Sequence, residues 1–354
     1  MARVRIKDIA EQAGVSPATV SRYLNNASGA MTEQTRARIA KVVERTGYRP
    51  LAAARSLRTD RSQLLGIVLA DISNPYSSAM LEALSRQAED AGYSLITAVS
   101  GNDPVAEASA VKRLLGAGAD ALIVNTCGGN AQALLDANRH APVILLDRDL
   151  EREPTRGEEG LDLVTSNNAE LVEGLVDELV ACSCEQIAFF TQSGLTSSIR
   201  RERAASFADS LAAHGIAGQV VALEDGDAEA SAQVSKLLGE WGAGGELGLI
   251  SVNGVVFLRL VEAIQTAPSA PGKGVEDHLH LTTFDEYAWN RMLMGGVTTA
   301  AQDVKGIAKE VVECALDRIN GKCGPTRRIE VPGRIIRRTS TECQVGRTPQ
   351  NSRS

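Results

Sequence analysis

From residue 64 onward the chain alternates between short apolar runs and longer stretches with helical periodicity. LLGIVLAD (64–71), SLITAVSG (94–101), ALIVNT (121–126) and PVILLD (142–147) form a first series. LDLVTS (161–166), QIAFFT (186–191), GQVVAL (218–223), LGLISV (247–252) and LHLTTF (279–284) form a second. Strands that read as nearly continuous apolar runs are covered on both faces, and strands separated by helices pair in parallel. Two such series predict an α/β body of two lobes, each a doubly wound parallel sheet. Ligands in such folds lie beyond the carboxyl ends of the strands, so the crevice between the halves is the expected binding site. Aromatic residues make up only 3% of the chain, which predicts a core of Ala, Leu, Val and Ile.

The first sixty residues have a different texture. Ile6, Ile9, Ala10 and Ala13 lie at helical spacing and stop at Gly14, although Arg5 stands where a capping hydroxyl would be expected. Ser16-Pro17 then starts a second helix, with a hydroxyl cap followed by proline at the first helical position, and Val20 and Leu24 form its inward face. Asn25-Asn26 with Ser28-Gly29 ends it. Thr32 can cap a third helix, whose apolar face uses Ile39, Val42 and Val43 before Gly47. Two short helices joined by a Gly-Val-Ser turn, with a third behind them, describe either a helix-turn-helix unit or a plain structural bundle. Charge favours the former. Residues 1–60 carry 11 basic and 5 acidic side chains, a balance of +6, whereas the remaining 294 carry 26 and 39, a balance of −13. A basic head on an acidic body points to a polyanion met by the head alone. LAAARSLRTD (51–60) is too short to be a stable helix alone, so it reads as a linker or as a helix ordered by a partner.

Catalytic and metal motifs fail on inspection. GAGADA (116–121) fits a GxGxxG spacing loosely, but its glycines precede the strand, so it reads as a helix-to-strand turn. His278 and His280 lack cysteine partners and the i,i+4 spacing of a zinc site. Ser193-Gly194 lacks the nucleophile elbow, and no nucleophile–base set is present. The expectation is a non-enzyme with no cofactor. The six cysteines form no CxxC pair and no apolar run reaches the roughly 18 residues of a membrane span, which predicts a reduced, cytoplasmic protein.

KDIAEQAGVSPATVSRYLN (7–25), with TGYRP (46–50) and AARSL (53–57), resembles the lactose/galactose repressor family. The likeness continues through SNPY (73–76), LLDR (145–148), RRERAASF (200–207), Asn253, FDEYAW (284–289) and GVTTAAQD (296–303), and so spans roughly residues 5–341. It implies a nucleoid-associated homodimer on a palindromic operator in double-stranded DNA, with one helix per half-site in the major groove. By this resemblance Pro17, Ala18 and Arg22 face base edges. Arg22 suits a guanine O6/N7 contact or else a phosphate, while Pro17 and Ala18 offer only shape and methyl contact. Ser16, Thr19, Ser21 and Asn25 suit phosphate contacts. Ala54, Arg55 and Leu57 match the family's hinge helix, whose paired leucines wedge into the minor groove, while Leu51 replaces the usual asparagine.

For the body, the resemblance implies an effector cleft formed by Asn74, Tyr76, Asn125, Asp147, Arg148, Arg203, Asn253, Asp285 and Gln302. These side chains suit a hydroxyl-rich sugar, and either arginine could clamp a carboxylate or pair with Asp147 or Asp285. Ser206 departs from the glycine usual three residues after Arg203. LIVNTCGGN (122–130) and VILLDRDL (143–150) look most like repressors of keto-sugar-acid metabolism, which respond to 2-ketogluconate or 2-keto-3-deoxygluconate. Neutral sugars, sugar phosphates and corepression stay open. The expected organisation is a helix-turn-helix head (1–50), a hinge helix (51–61), a periplasmic-binding-protein-like effector domain (62–341) and a polar tail (342–354). Its lobes would be 62–162 with 291–324, and 163–290 with 325–341. The tail has no heptad leucines, so a dimer is expected rather than a tetramer.

Overall fold

The computed structural model describes residues 4–24, 31–48, 61–150, 160–193, 197–223, 227–240, 245–266 and 278–342. Asn25, the hinge residues Ala54, Arg55 and Leu57, and the tail beyond residue 342 lie outside these ranges. The chain divides into two compact units, Met1–Gln63 and Leu64–Ser354.

The first unit contains helices α1 (Ile6–Ala13), α2 (Pro17–Leu24) and α3 (Glu33–Thr46). The missing cap at Arg5 has an answer in Asp8, whose carboxylate accepts the Arg5 backbone N–H at 2.7 Å. Acid at this position also complements the helix dipole. Gly14 and Gly47 close α1 and α3 in the left-handed region, with φ of 63° and 60°, where a side chain would be strained. Thr32 caps α3 through the Thr35 N–H. Ile9, Ala10, Ala13, Val20, Ile39 and Val42 form the shared core.

In the second unit the first sheet contains β1 (Leu64–Leu69), β2 (Ser94–Val99), β3 (Ala121–Val124), β4 (Val143–Leu146), β5 (Asp162–Ser166) and β11 (Arg328–Val331). Their order is β11-β5-β4-β3-β1-β2, with every pair parallel. Alternation along β1 explains why its run is almost entirely apolar. Leu65, Ile67 and Leu69 meet Met80 and Leu84 of the helix Pro75–Asp90 and Ile307 and Val311 of the helix Val304–Ile319. Val68 faces the opposite layer, with Val111, Leu114 and Leu134.

The second sheet contains β6 (Cys184–Gln192), β7 (Ala217–Leu223), β8 (Glu246–Ser251), β9 (Leu279–Phe284), β10 (Thr298–Ala301) and β12 (Arg334–Ile336). The order is β12-β10-β9-β8-β6-β7, parallel except for the edge strand β12. All five phenylalanines are buried here, at 189, 190, 207, 257 and 284. They pack among a majority of Leu, Val, Ile and Ala, the residues expected from composition.

The expected lobe limits need correction. β5, placed at the head of the second series, belongs to the first sheet, where Leu163 pairs with Leu145. β10 lies in the second sheet, not the first, and β11 in the first, not the second. The chain thus passes between lobes after residues 166, 301 and 331. Side chains tie these passages together: Ser166 Oγ donates to Gln302 Oε1 at 2.9 Å, and the Gly333 N–H donates to Asn167 Oδ1 at 2.8 Å. A Cβ on Gly333 would lie 2.7 Å from the Ala301 carbonyl oxygen, so this close approach requires glycine. Cys127, Cys184 and Cys314 are buried free thiols and Cys323 an exposed one, while Cys343 lies outside the described residues.

The start of β5 carries a buried ionic cluster. The buried Asp162 carboxylate accepts from Arg318 Nη2 (2.8 Å) and Nε (2.9 Å), and from Arg327 Nη2 (2.8 Å) and its backbone N–H (2.9 Å). Burial alone would raise this carboxyl, but the bonds from Arg318 and Arg327 outweigh it and hold it at about 2. The resulting stabilisation is complete above the unfolded value of roughly 4 and is lost as pH falls toward 2; the shift corresponds to about 2 kcal/mol. Asp162→Asn is expected to lower unfolding free energy by about 2–3 kcal/mol at pH 7 and to flatten the acid limb of the stability profile. Denaturant melts between pH 2 and 7 check this, and an unchanged acid limb would contradict it.

Candidate functional site

The carboxyl ends of the two sheets meet at a cleft with about 380 Å³ of empty space. Eight of the nine expected body residues line it: Asn74, Tyr76, Asp147, Arg148, Arg203, Asn253, Asp285 and Gln302. Asn74 follows β1 and caps the next helix, its Oδ1 accepting the Tyr76 N–H at 3.1 Å. That cap orders the first turn and fixes Tyr76, which is 7% exposed and whose hydroxyl has no hydrogen-bond partner. Asn253 plays the same part after β8, accepting the Val256 N–H at 2.9 Å and donating to Gln192 Oε1 at 3.2 Å.

Asp147 and Arg148 follow β4. Asp147 sits at φ 66°, a conformation unusual for a residue with a side chain. Its N–H donates to the Val164 carbonyl and its carbonyl accepts from Thr165 Oγ1, so β5 holds the turn in place. Its Oδ1 is buried without a partner. Arg148 Nη1 donates to Asn102 Oδ1 at 3.3 Å and to the Thr126 carbonyl at 3.2 Å. The loop bearing Thr126 is itself fixed by Glu107, a fully buried carboxylate that accepts from Thr126 Oγ1 (2.8 Å) and the Cys127 N–H (2.7 Å). Burial and this carboxylate push the Cys127 thiol up to about 12.

Arg203 does not pair with either aspartate. Its Nε donates to Asn168 Oδ1 at 2.8 Å and its Nη1 to the Val252 carbonyl at 2.7 Å, with the guanidinium carbon 3.8 Å from the Phe284 ring centroid. Ser206, in the place of glycine, turns its hydroxyl onto the Glu202 carbonyl at 2.9 Å and leaves the helix Ser198–His214 intact. Asp285 accepts from Tyr287 Oη at 3.2 Å and from Gln302 Nε2. Burial raises both the Asp147 and Asp285 carboxyls, with Arg203 pulling each the other way. Burial likewise pushes the Tyr76 phenol up, with Asp147 and Asp285 adding to the effect.

Asn125 is the exception among the expected residues. It does not line the cleft; its buried amide donates to the Leu146 carbonyl at 3.0 Å and ties the end of β3 to β4. Ser197, Ile199, Arg200 and Val252 also line the cleft, and sequence reasoning missed them. Arg200 had a signal: it lies three residues before Arg203, and that spacing puts both on one helix face. Burial, with Arg148 and Arg203 nearby, pushes Arg200 down to about 10, against the opposing effect of Asp71.

In the head, Ser16 Oγ accepts the Thr19 N–H at 3.2 Å and lies 2.9 Å from Thr19 Oγ1. Pro17, Ala18 and Arg22 are exposed, Thr19 and Ser21 are half-buried, and Val20 is buried. Helix α2 thus holds its apolar side on α1 and α3 and presents Arg22 outward.

A helix-turn-helix head on a two-lobed body with a polar interlobe cleft defines a ligand-responsive regulator. Residues 5–50 match the bacterial regulatory proteins of the lacI family, and residues 65–323 match the periplasmic binding protein domain. The chain is 35% identical over 340 residues to the HTH-type transcriptional regulator PtxS of Pseudomonas plecoglossicida, covering 96% of each. It is 29% identical over 339 residues to the HTH-type transcriptional regulator KdgR of Bacillus subtilis strain 168, covering 95% of this chain and 97% of that one. Its fold superposes on a lac repressor dimer bound to operator and the anti-inducer ONPF with a TM-score of 0.80 at 22% identity, over 96% of this chain and 99% of that one. The chain belongs to the lacI family of bacterial regulatory proteins. It is a DNA-binding transcriptional regulator and not an enzyme.

The unpartnered Tyr76 hydroxyl gives a direct test of the cleft. Removing a group that bonds nothing inside the protein should leave stability unchanged or slightly raised, while a ligand that uses it loses about 1 kcal/mol. Tyr76→Phe is therefore expected to melt at or above the wild-type temperature and to bind the effector about fivefold more weakly. A lower melting temperature with unchanged affinity would remove Tyr76 from the site.

Proposed function

We propose that the protein is a transcriptional repressor whose effector is a keto-sugar acid of the 2-ketogluconate or 2-keto-3-deoxygluconate type. The observation that carries this reading is the composition of the cleft, where three arginines stand with two buried carboxyls and an unpartnered phenol. Carboxyls accept hydrogen bonds from sugar hydroxyls, and a guanidinium fork fits a carboxylate. The likeness of residues 122–150 to keto-sugar-acid repressors and the 35% identity with PtxS agree with it.

In this reading the protein is a homodimer in the cytoplasm that binds a palindromic operator on the nucleoid. Arg22 reads a guanine, Pro17 and Ala18 contribute shape, and Ser16, Thr19, Ser21 and Asn25 hold phosphates. Leu57, flanked by Ala54 and Arg55, wedges into the minor groove, where the bend offsets the cost of unstacking. Effector and operator oppose each other by linkage: a ligand that binds the released state better shifts the population toward it.

Calorimetric titration with 2-ketogluconate, 2-keto-3-deoxygluconate, gluconate, glucose and fructose tests the effector class. A charge-assisted bidentate bond contributes about 1.5–3 kcal/mol, so a keto acid is expected to bind about ten- to a hundredfold tighter than either neutral sugar. Tighter binding of glucose or fructose would overturn the acid reading.

A further inference from the structure

We propose that Arg148 and Arg200 hold the effector's carboxylate jointly from opposite lobes, so that the acid group itself draws the cleft closed. This rests on the sugar-acid reading above. It narrows that reading to two residues and gives the anion a mechanical role.

Arg148 follows β4 in the first lobe, whereas Arg200 lies in the first turn of Ser198–His214 in the second, and both line the same cleft. Their neighbours already touch across the gap, because the Asp149 N–H donates to Ser198 Oγ at 2.8 Å. The residue after Arg148 and the residue two before Arg200 are therefore in direct contact. Arg328 reinforces the same rim, with Nη1 2.8 Å from Asp149 and Nη2 4.0 Å from Glu202.

The other charged groups suit different parts of the ligand. Arg203 has two of its nitrogens on Asn168 and the Val252 carbonyl and its face on Phe284, so it forms a fixed floor. Asp147 and Asp285 can receive hydroxyls but would repel an anion. Arg148 is steadied through Nη1 by Asn102 and Thr126. Arg200 sits at the N-terminal end of a 17-residue helix whose N-cap residue, Ser197, makes no side-chain capping bond, and the helix dipole there also favours negative charge.

Closing two lobes that bring like charges together carries a Coulomb cost. Burial has the largest effect on Arg200; behind it Arg148 and Arg203 disfavour its charge and Asp71 favours it, so the two cleft arginines across the gap do feel each other. An anion seated between Arg148 and Arg200 turns the repulsion into two attractions, and it can do so only when the lobes are near each other. A neutral sugar leaves the repulsion in place.

The test is a double-mutant cycle on the full chain, with 2-ketogluconate as the acid probe and D-fructose as the neutral one. Arg148→Gln and Arg200→Gln are each expected to weaken 2-ketogluconate binding by about tenfold or more, and the double variant by much less than the product of the two. Fructose affinity should change little in either variant. Small-angle scattering should show compaction by 2-ketogluconate in the wild type and not in Arg200→Gln. Arg200→Lys, which keeps the charge but not the fork, should fall between wild type and Arg200→Gln, and it carries the cycle if the glutamine variant does not fold. If the wild type prefers the acid but the two losses multiply independently, or Arg200→Gln binds it normally, the joint seat is wrong and the acid reading stands. If the wild type prefers fructose, both fall.

Discussion

Three passages of chain between the lobes, fastened to one another by side chains, set the conditions for everything the cleft does. Because β5 and β11 return to the first sheet and β10 and β12 to the second, neither lobe is a continuous segment. Relative motion of the lobes must be absorbed near residues 166–168, 301–304 and 331–334. Gln302 lies on one of these passages and faces both ways, accepting from Ser166 Oγ and donating to Asp285. A group that binds Asp285 therefore acts on a residue that is part of the hinge. Asn168 is similarly placed, since it opens the first helix of the second lobe, bonds Ser166 and Thr165, and receives Arg203. The proposed binding residues and the hinge share hydrogen bonds, which is the physical content of a coupled site.

The electrostatics of the body follow one rule at both ends of the first sheet, with opposite outcomes. At the start of β5, Asp162 is buried and fully met by two arginines, and the result is stability. At the end of β4, Asp147 is also buried, but one of its oxygens meets nothing within the protein. Leaving a buried polar group unpaired costs about 1–3 kcal/mol. Such a cost persists where a ligand offsets it, and the Tyr76 hydroxyl beside the same cleft has the same character. The left-handed backbone at Asp147, held by Val164 and Thr165, adds local strain at the same point.

Much of this was legible in the sequence, for definable reasons. Apolar runs announced the strands because helices cover both faces of each sheet, and Gly14, Thr32 and Gly47 marked helix ends because capping is a local property. The lobe membership of β5, β10 and β11 was not legible, since parallel pairing joins distant segments and leaves no mark on a strand's own composition. β7 reads apolar in GQVVAL yet is largely exposed, because an edge strand lacks the cover that its run implies. In the cleft, family motifs gave eight lining residues, while Arg200 was lost among four charged residues in RRER. Asn125 was expected in the lining and stands off it, because an asparagine at a strand end can serve a ligand or a neighbouring carbonyl, and here it holds that of Leu146. Glu107 left no signal at all: a buried carboxylate within PVAEASAVKRLLG is visible only when the Thr126 loop is seen to close over it.

Under the proposed function, effector in the cleft and operator on the head exclude each other through one shared free energy. The anisotropy of a fluorescent palindromic duplex, selected in vitro by the full-length protein and titrated at rising 2-ketogluconate, tests this. Operator affinity is expected to fall by a saturable factor of about 5–150, and duplex should weaken 2-ketogluconate binding by the same factor in calorimetry. Operator affinity that stays constant or rises at saturating 2-ketogluconate would rule out such mutual exclusion.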